Sequence, residues 1–188
     1  MADSKVFNEI INWYDDQWRK NKRLDLSREI RSLMQFEKDK SRLFGLRHVL
    51  KFELVRHQNF AAIREVLEVE ILENPLDGQA RIELAEHVFY RENDPKRALD
   101  EINLAIPIAT KSGEFIRNAV QVKARILRKL EDYGGLAECL TAIMKIKNVH
   151  PELDARKESD FLDGLPKATI SERLLEKFDE YMSDNSKN

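Results

Sequence analysis

The stretch RENDPKRALDEI, residues 91–102, sets Asn-Asp-Pro between two runs of helical periodicity. Asp94 is placed to cap the helix that follows, Pro95 to take its first position, and Ala98 to let two helices approach closely. Ile82, Ala85 and Phe89 mark the apolar face before the corner; Ala98, Ile102 and Ala105 mark the face after it. Taken alone this is an ordinary helix–turn–helix joint. Its meaning depends on whether the chain repeats it.

Outward from the corner, the periodicity is helical nearly throughout. Val6, Ile10, Trp13, Tyr14 and Trp18 make one apolar face, which predicts an amphipathic helix over 4–20. "NKRLDLS" interrupts it, and Ser27 is expected to cap a second helix carrying Ile30 and Met34 or Leu33. Leu43, Leu46, Leu50 and Leu54 predict a third, ending at "RHQN", and Ile63, Val66, Leu67 and Ile71 a fourth, ending at "ENP". Phe115, Ala119, Val122, Ile126 and Leu130, then Leu136, Leu140 and Ile143, predict a further pair around "EDYGG". Pro107 removes a hydrogen bond and clashes one turn back, at about 3 kcal/mol, so the helix from Lys96 is expected to end or kink near 106. No window alternates as a strand does. The expected fold class is all-α.

Three corners share a pattern: "HQNFAAIREVL", "ENDPKRALDEI" and "LEDYGGLAECL". Asn59, Asp94 or Asp132 comes first, a ring follows in Phe60, Pro95 or Tyr133, and an apolar residue returns eight positions on at Leu67, Ile102 or Leu140. The corners are 35 and 38 residues apart. A period of about 34 residues built from helix–turn–helix units is the signature of tetratricopeptide repeats, in which stacked hairpins share one core. Over roughly 42–150 the chain resembles that family, with Pro75 sixteen after Asn59 and small residues at Ala98 and Ala124 where helices must approach. It departs from the pattern at Ile63 and Leu136, at Lys51 and Glu86, and at Pro107 with "TKSG". Generic helical hairpins of similar length remain the alternative.

The resemblance implies a helical-hairpin solenoid with units at 42–75, 76–112 and 113–150, N-terminal helices (1–41) packed on it, and a linker with a capping helix over 151–188. In the linker, Gly164 and Pro166 are turn residues; in the capping helix, Thr169 and Glu172 make a capping box ahead of Leu174, Leu175, Phe178 and Met182. It also implies peptide binding on the concave face. The matching positions are Gly45, His48, Phe52 and Val55; Ala80, Glu83, His87 and Tyr90; and Asn118, Gln121, Arg125 and Arg128. The last four form a polar stripe ending in two guanidiniums, whose forks recognise carboxylates, so an acidic peptide or a protein's C-terminus is the implied ligand. The chaperone-tail clamp of the family is not implied, because His48, Phe52, Glu83 and His87 stand where it needs Lys and Asn.

Composition sets the bounds. The chain has 188 residues, 42% hydrophobic and 35% charged, with few Gly and Pro, as a helical protein that folds has. No apolar run approaches the ~20 residues of a membrane span, MADSKVFNEII lacks the basic stretch and continuous apolar core expected of a secretory signal, and the single cysteine, Cys139, excludes an internal disulfide framework. A cytoplasmic location is expected. The net charge of −2 hides segregation: +7 over 19–56, −6 over 57–107, +4 over 108–150 and −4 over 151–188. Alternating solvated faces account for this; a nucleic-acid patch at 19–56 is the minority reading, since Phe36, Phe44 and Phe52 have the spacing of a buried seam.

No catalytic pattern emerges. His48, His57, His87 and His150 lack metal-ligand spacing, Cys139 falls on an apolar face as an inert thiol does, no glycine-rich phosphate loop occurs, and Trp13 and Trp18 suit the core of an N-terminal cap. No enzyme and no cofactor are expected. The expectation is a scaffold or adaptor binding another protein, with a structural or self-associating subunit as the alternative.

Overall fold

The computed structural model describes residues 4–20, 24–113, 115–146 and 171–185. His150, the linker with Gly164 and Pro166, and Thr169 of the expected capping box lie outside these residues. The described residues form α1 (Ser4–Lys20), α2 (Ser27–Phe36), α3 (Lys40–Arg56), α4 (Phe60–Glu73), α5 (Gly78–Tyr90), α6 (Pro95–Ser112), α7 (Ile116–Lys129), α8 (Tyr133–Ile146) and α9 (Glu172–Asn185), with no strand among them. The protein is all-α.

The repeated corner is a repeated turn. Asn59, Asp94 and Asp132 each accept a backbone N–H three residues on through Oδ1: from Ala62 at 3.3 Å, Arg97 at 3.0 Å and Gly135 at 3.0 Å. Each follows a residue in the left-handed region, Gln58 (φ 56°), Asn93 (φ 54°) or Glu131 (φ 60°). At the first and third corners the ladder closes identically. The N–H of Asn59 reaches the Leu54 carbonyl and that of Gln58 reaches Val55; Asp132 and Glu131 reach Leu127 and Arg128. These are Schellman closures, which satisfy the last carbonyls of one helix just before the next begins. The middle corner is one residue longer, with Asp94 bonding Val88. Left-handed backbone costs a non-glycine residue about 1–2 kcal/mol. Glu131→Gly should therefore raise stability by up to about 1 kcal/mol, read as a higher urea midpoint, because glycine's extra chain entropy offsets only part of that cost.

Two expectations about helix ends are corrected. Ser27 does not cap α2: its N–H donates to Asp25 Oδ1 at 2.8 Å, and Leu26 holds the cap position without a side-chain bond. Of the end or kink expected near 106, the end does not occur. α6 continues to Ser112 and stops at Gly113, whose φ of 73° suits only glycine well. Pro107 and Asn103, whose carbonyl loses its donor, are both exposed, so water takes over that bond.

The chain divides into two compact units, 1–69 and 70–188. In the first, α1 and α2 each pack on α3. The Phe7 ring lies 5.9 Å from Phe44 and 5.2 Å from His48, Ile10 covers Gly45, and Tyr14 meets Glu53, so α1 and α3 run parallel. Gly45 is what lets them approach: a Cβ there would stand 2.8 Å from Ile10 Cδ1. Ile10, Leu26, Ile30, Leu46, Val49, Leu50 and Leu54 fill the core.

In the second unit, α5 packs on α6, α6 on α7, α7 on α8, and α5 also touches α7. Gly78 at the start of α5 lies against Ile108 and Ala109 near the end of α6, which makes that pair antiparallel. Fully buried alanines (Ala85, Ala98, Ala105, Ala119 and Ala124) hold these helices close. α9 closes the unit on α8, burying Phe178 and Tyr181 among Val120, Ala124, Leu127, Leu136, Leu140 and Ile143.

Candidate functional site

α3 is apolar on two faces, and the difference between them builds the site. Leu46, Val49, Leu50 and Leu54 turn inward, whereas Phe44, Phe52 and Val55 are 46%, 54% and 46% exposed. Phe36 on α2 is 80% exposed. The buried seam that the spacing of Phe36, Phe44 and Phe52 suggested is thus corrected: the true seam runs through the leucines. Phe52 packs edge-on to His48, ring centroids 4.7 Å apart and planes at 87°, and His48 in turn lies against Phe7. Beside Phe52, Ile11, Tyr14, Asp15 and Trp18 of α1 and Arg56 of α3 wall an open trough of about 480 Å³.

Glu53 lies behind the trough and bonds two residues of its wall, Tyr14 and Arg56. It is fully buried, yet it accepts from Tyr14 Oη at 2.6 Å, from the Leu26 N–H at 2.9 Å and from the Arg56 guanidinium, and His57 Nε2 lies 3.1 Å away. Burial alone would raise its carboxyl, but the Tyr14, Leu26 and Arg56 donors hold it below the ordinary 4.5. Burial and the same carboxylate push the Tyr14 hydroxyl upward. Arg56 also donates to the Leu24 carbonyl, so one carboxylate ties α1, α2 and α3 together. Asp25, Glu53 and His57 bring ligand atoms within 4.8 Å of one another, but the Arg56 guanidinium already sits on Glu53, and a metal ion would meet that positive charge.

The second and third stripes are placed differently. In α5, Ala80 and His87 are buried, with His87 Nε2 3.8 Å from Glu92 Oε1. Glu83 is half-buried and accepts from Gln79 Nε2 at 2.8 Å; Tyr90 is exposed. In α7, Asn118, Gln121, Arg125 and Arg128 are all half-buried. Burial raises the Glu86 carboxyl of α5, and the Arg125 charge opposes that rise, so Arg125 already faces an acid of its own chain. Arg117, one position outside the stripe, is buried and donates to Tyr181 Oη. Cys139 is buried, and burial pushes its thiol up to about 11, which suits packing and not nucleophilic attack at neutral pH.

Of the first stripe, Phe52 lines the trough, His48 packs against Phe52, Val55 is exposed, and Gly45 is buried under Ile10 of α1. Sequence reasoning missed the α1 wall. Ile11 and Trp18 complete the trough, and nothing local in the sequence says that α1 runs parallel beside α3. No helix among the described residues is long and apolar enough to cross a membrane. Compared with family models, curated proteins and solved structures, the protein matches none.

Proposed function

We propose that this protein is a protein–protein interaction module of tetratricopeptide-like build, which takes a short segment of a partner protein along the α1–α3 face. The carrying observation is the trough of about 480 Å³ bordered by Trp18 and Phe52, with Phe44 and Val55 exposed along the same helix. Aromatic residues grouped on an open concave surface are costly to leave in water and are typical anchors of protein interfaces. The trough is also preformed, because the Glu53 bonds fix both helices before anything docks, which lowers the entropy cost of binding.

What supports the repeat reading is the recurrence of one arrangement. A helix lies beside its next-but-one neighbour in each unit, α1 by α3 and α5 by α7, and capped corners recur at Asn59, Asp94 and Asp132. Stacked hairpins require that contact.

A selection of displayed random peptides on the full-length protein tests the function. Peptides with clustered apolar anchors should be enriched, and Phe52→Asp should weaken them by more than tenfold, since a buried aromatic anchor is worth about 2 kcal/mol or more. Phe52 is half outside the fold already, so circular dichroism should be unchanged. Enriched peptides indifferent to Phe52→Asp would move the function off this face.

A further inference from the structure

We propose that the proton on His57 Nε2 is a switch: it decides whether Glu53 holds Arg56, and through Arg56 it sets the charge of the trough wall. The consequence for docking rests on the reading above; the switch itself does not.

Two contacts of one nitrogen conflict. His57 Nε2 lies 3.2 Å from Arg56 Nη2 and 3.1 Å from Glu53 Oε1. A guanidinium only donates, so the first contact is a hydrogen bond only when Nε2 is bare. An ionised carboxylate only accepts, so the second is one only when Nε2 carries a proton. One nitrogen cannot do both. Glu53 Oε1 is crowded as well, since it also receives the Leu26 N–H at 2.9 Å and the Arg56 guanidinium. The Leu26 donor is backbone and stays, which leaves Arg56 and His57 in competition. The other oxygen, Oε2, takes the Tyr14 hydroxyl in either case.

The proton therefore selects between two arrangements. With Nε2 bare, Arg56 bridges Glu53 and His57 and donates to the Leu24 carbonyl. With both ring nitrogens protonated, Nε2–H turns to Oε1 and the imidazolium neutralises the carboxylate. Arg56 then meets an N–H and a like charge at 3.2 Å. Asp25, ahead of α2, places a second negative charge near both cations, and Tyr14 of α1 stands on the far oxygen as a neutral donor. Glu53 stays ionised where histidines ordinarily take up their proton, because its carboxyl lies below 4.5.

Arg56 carries the change to the trough, which it walls together with Asp15, Trp18 and Phe52. Held on Glu53, its charge is cancelled; displaced, it turns a positive charge to a wall that also carries Asp15. The His57 side chain is 34% exposed at the end of α3, so its proton comes from solvent without unfolding.

The test uses the full-length protein labelled with nitrogen-15 and needs no ligand. Long-range proton–nitrogen spectra, with His57→Gln to assign the ring, should show Nε2 of His57 bare at about pH 8 and both nitrogens protonated at about pH 5.5. Nε2 already protonated at the higher pH, or a ring that takes up no proton by the lower, overturns the switch. The link to Arg56 is read from Trp18 emission in a Trp13→Phe background. That emission should change with the midpoint of the His57 titration, and the change should be absent from Arg56→Gln. No change at Trp18, or one that survives in Arg56→Gln, overturns the displacement of Arg56. Should Arg56→Gln lose helicity, the Arg56 Nε–H resonance of the wild type takes its place: it should move with the His57 midpoint, and a stationary resonance overturns the displacement. A peptide enriched in the display selection should change its affinity by about threefold or more between the two pH values, and not in His57→Gln. Equal affinities overturn the link to docking. A selection that enriches no peptide counts against the docking face alone, since the spectra and Trp18 judge the switch without it.

Discussion

Glu53→Ala should destabilise the N-terminal unit by about 3–5 kcal/mol, the cost of breaking a buried ionic network by removing one partner. The alanine leaves the Tyr14 hydroxyl, the Leu26 N–H and the Arg56 guanidinium facing a carboxylate that is gone, in a site with no water access on the Glu53 side. Glu53→Gln, which keeps one acceptor oxygen, should cost less. Both tryptophans, Trp13 and Trp18, stand in α1, so their fluorescence during urea unfolding reports on this unit, while circular dichroism follows the whole protein. The fluorescence midpoint should fall strongly in Glu53→Ala; an unchanged midpoint would mean that the three helices do not depend on the carboxylate.

The same group sets a pH dependence. The folded carboxyl lies below its ordinary 4.5, so the folded state binds the proton more weakly than the unfolded state does. Its contribution is full above the unfolded value and is lost as pH falls from about 4.5 through the lower folded value. Acid titration followed by tryptophan fluorescence should show this loss in the wild type and not in Glu53→Gln.

Phe178→Ala should cost about 3–5 kcal/mol in the second unit, the usual range for emptying a fully buried phenylalanine site. Among the described side chains, Phe178, Tyr181 and the half-buried Leu174 and Leu175 join α9 to the core it shares with α8, so α9 should detach before the rest unfolds. Trypsin should then cut faster after Arg173 and Lys177, both exposed on α9, while tryptophan fluorescence stays as in the wild type. Tyr181→Phe makes a useful companion: it keeps the ring that packs at 5.9 Å from Phe178 but removes the acceptor of buried Arg117. A Phe178→Ala variant as protease-resistant as the wild type would show α9 anchored elsewhere.

The helices were legible in the sequence because apolar spacing at a period near 3.6 survives any tertiary context, and the corners because Asn59, Asp94 and Asp132 cap in the way their side chains allow. What lay out of reach were features set by distant neighbours. α3 has leucines on one side and phenylalanines on the other, so its periodicity alone does not say which side packs; only α1 and α2 decide it. Glu53 reads as one more charge on a charged helix, and its burial depends on Tyr14 and Leu26, 39 and 27 residues away. The left-handed residues Gln58, Asn93 and Glu131 gave no sign because none is glycine. Pro107 argued for a helix end or kink, and α6 runs on through it where Pro107 and Asn103 are exposed. Of the trough, only Phe52 is among the positions counted back from the corner at Asn59, whereas Ile11 and Trp18 come only with the parallel course of α1.

The next-neighbour packing of the helices has a kinetic side. Within the second unit, α5 to α8 meet partners that are adjacent or next-but-one in sequence, so each contact closes a short loop at little entropic cost. Folding dominated by such local closures is fast and can start at any hairpin. α9 is the exception, because Ile146 and Glu172 are separated by 25 residues of sequence and its site on α8 exists only once α7 and α8 have come together. Its docking is expected to be the last step of assembly and, by the same logic, its release the first step of opening.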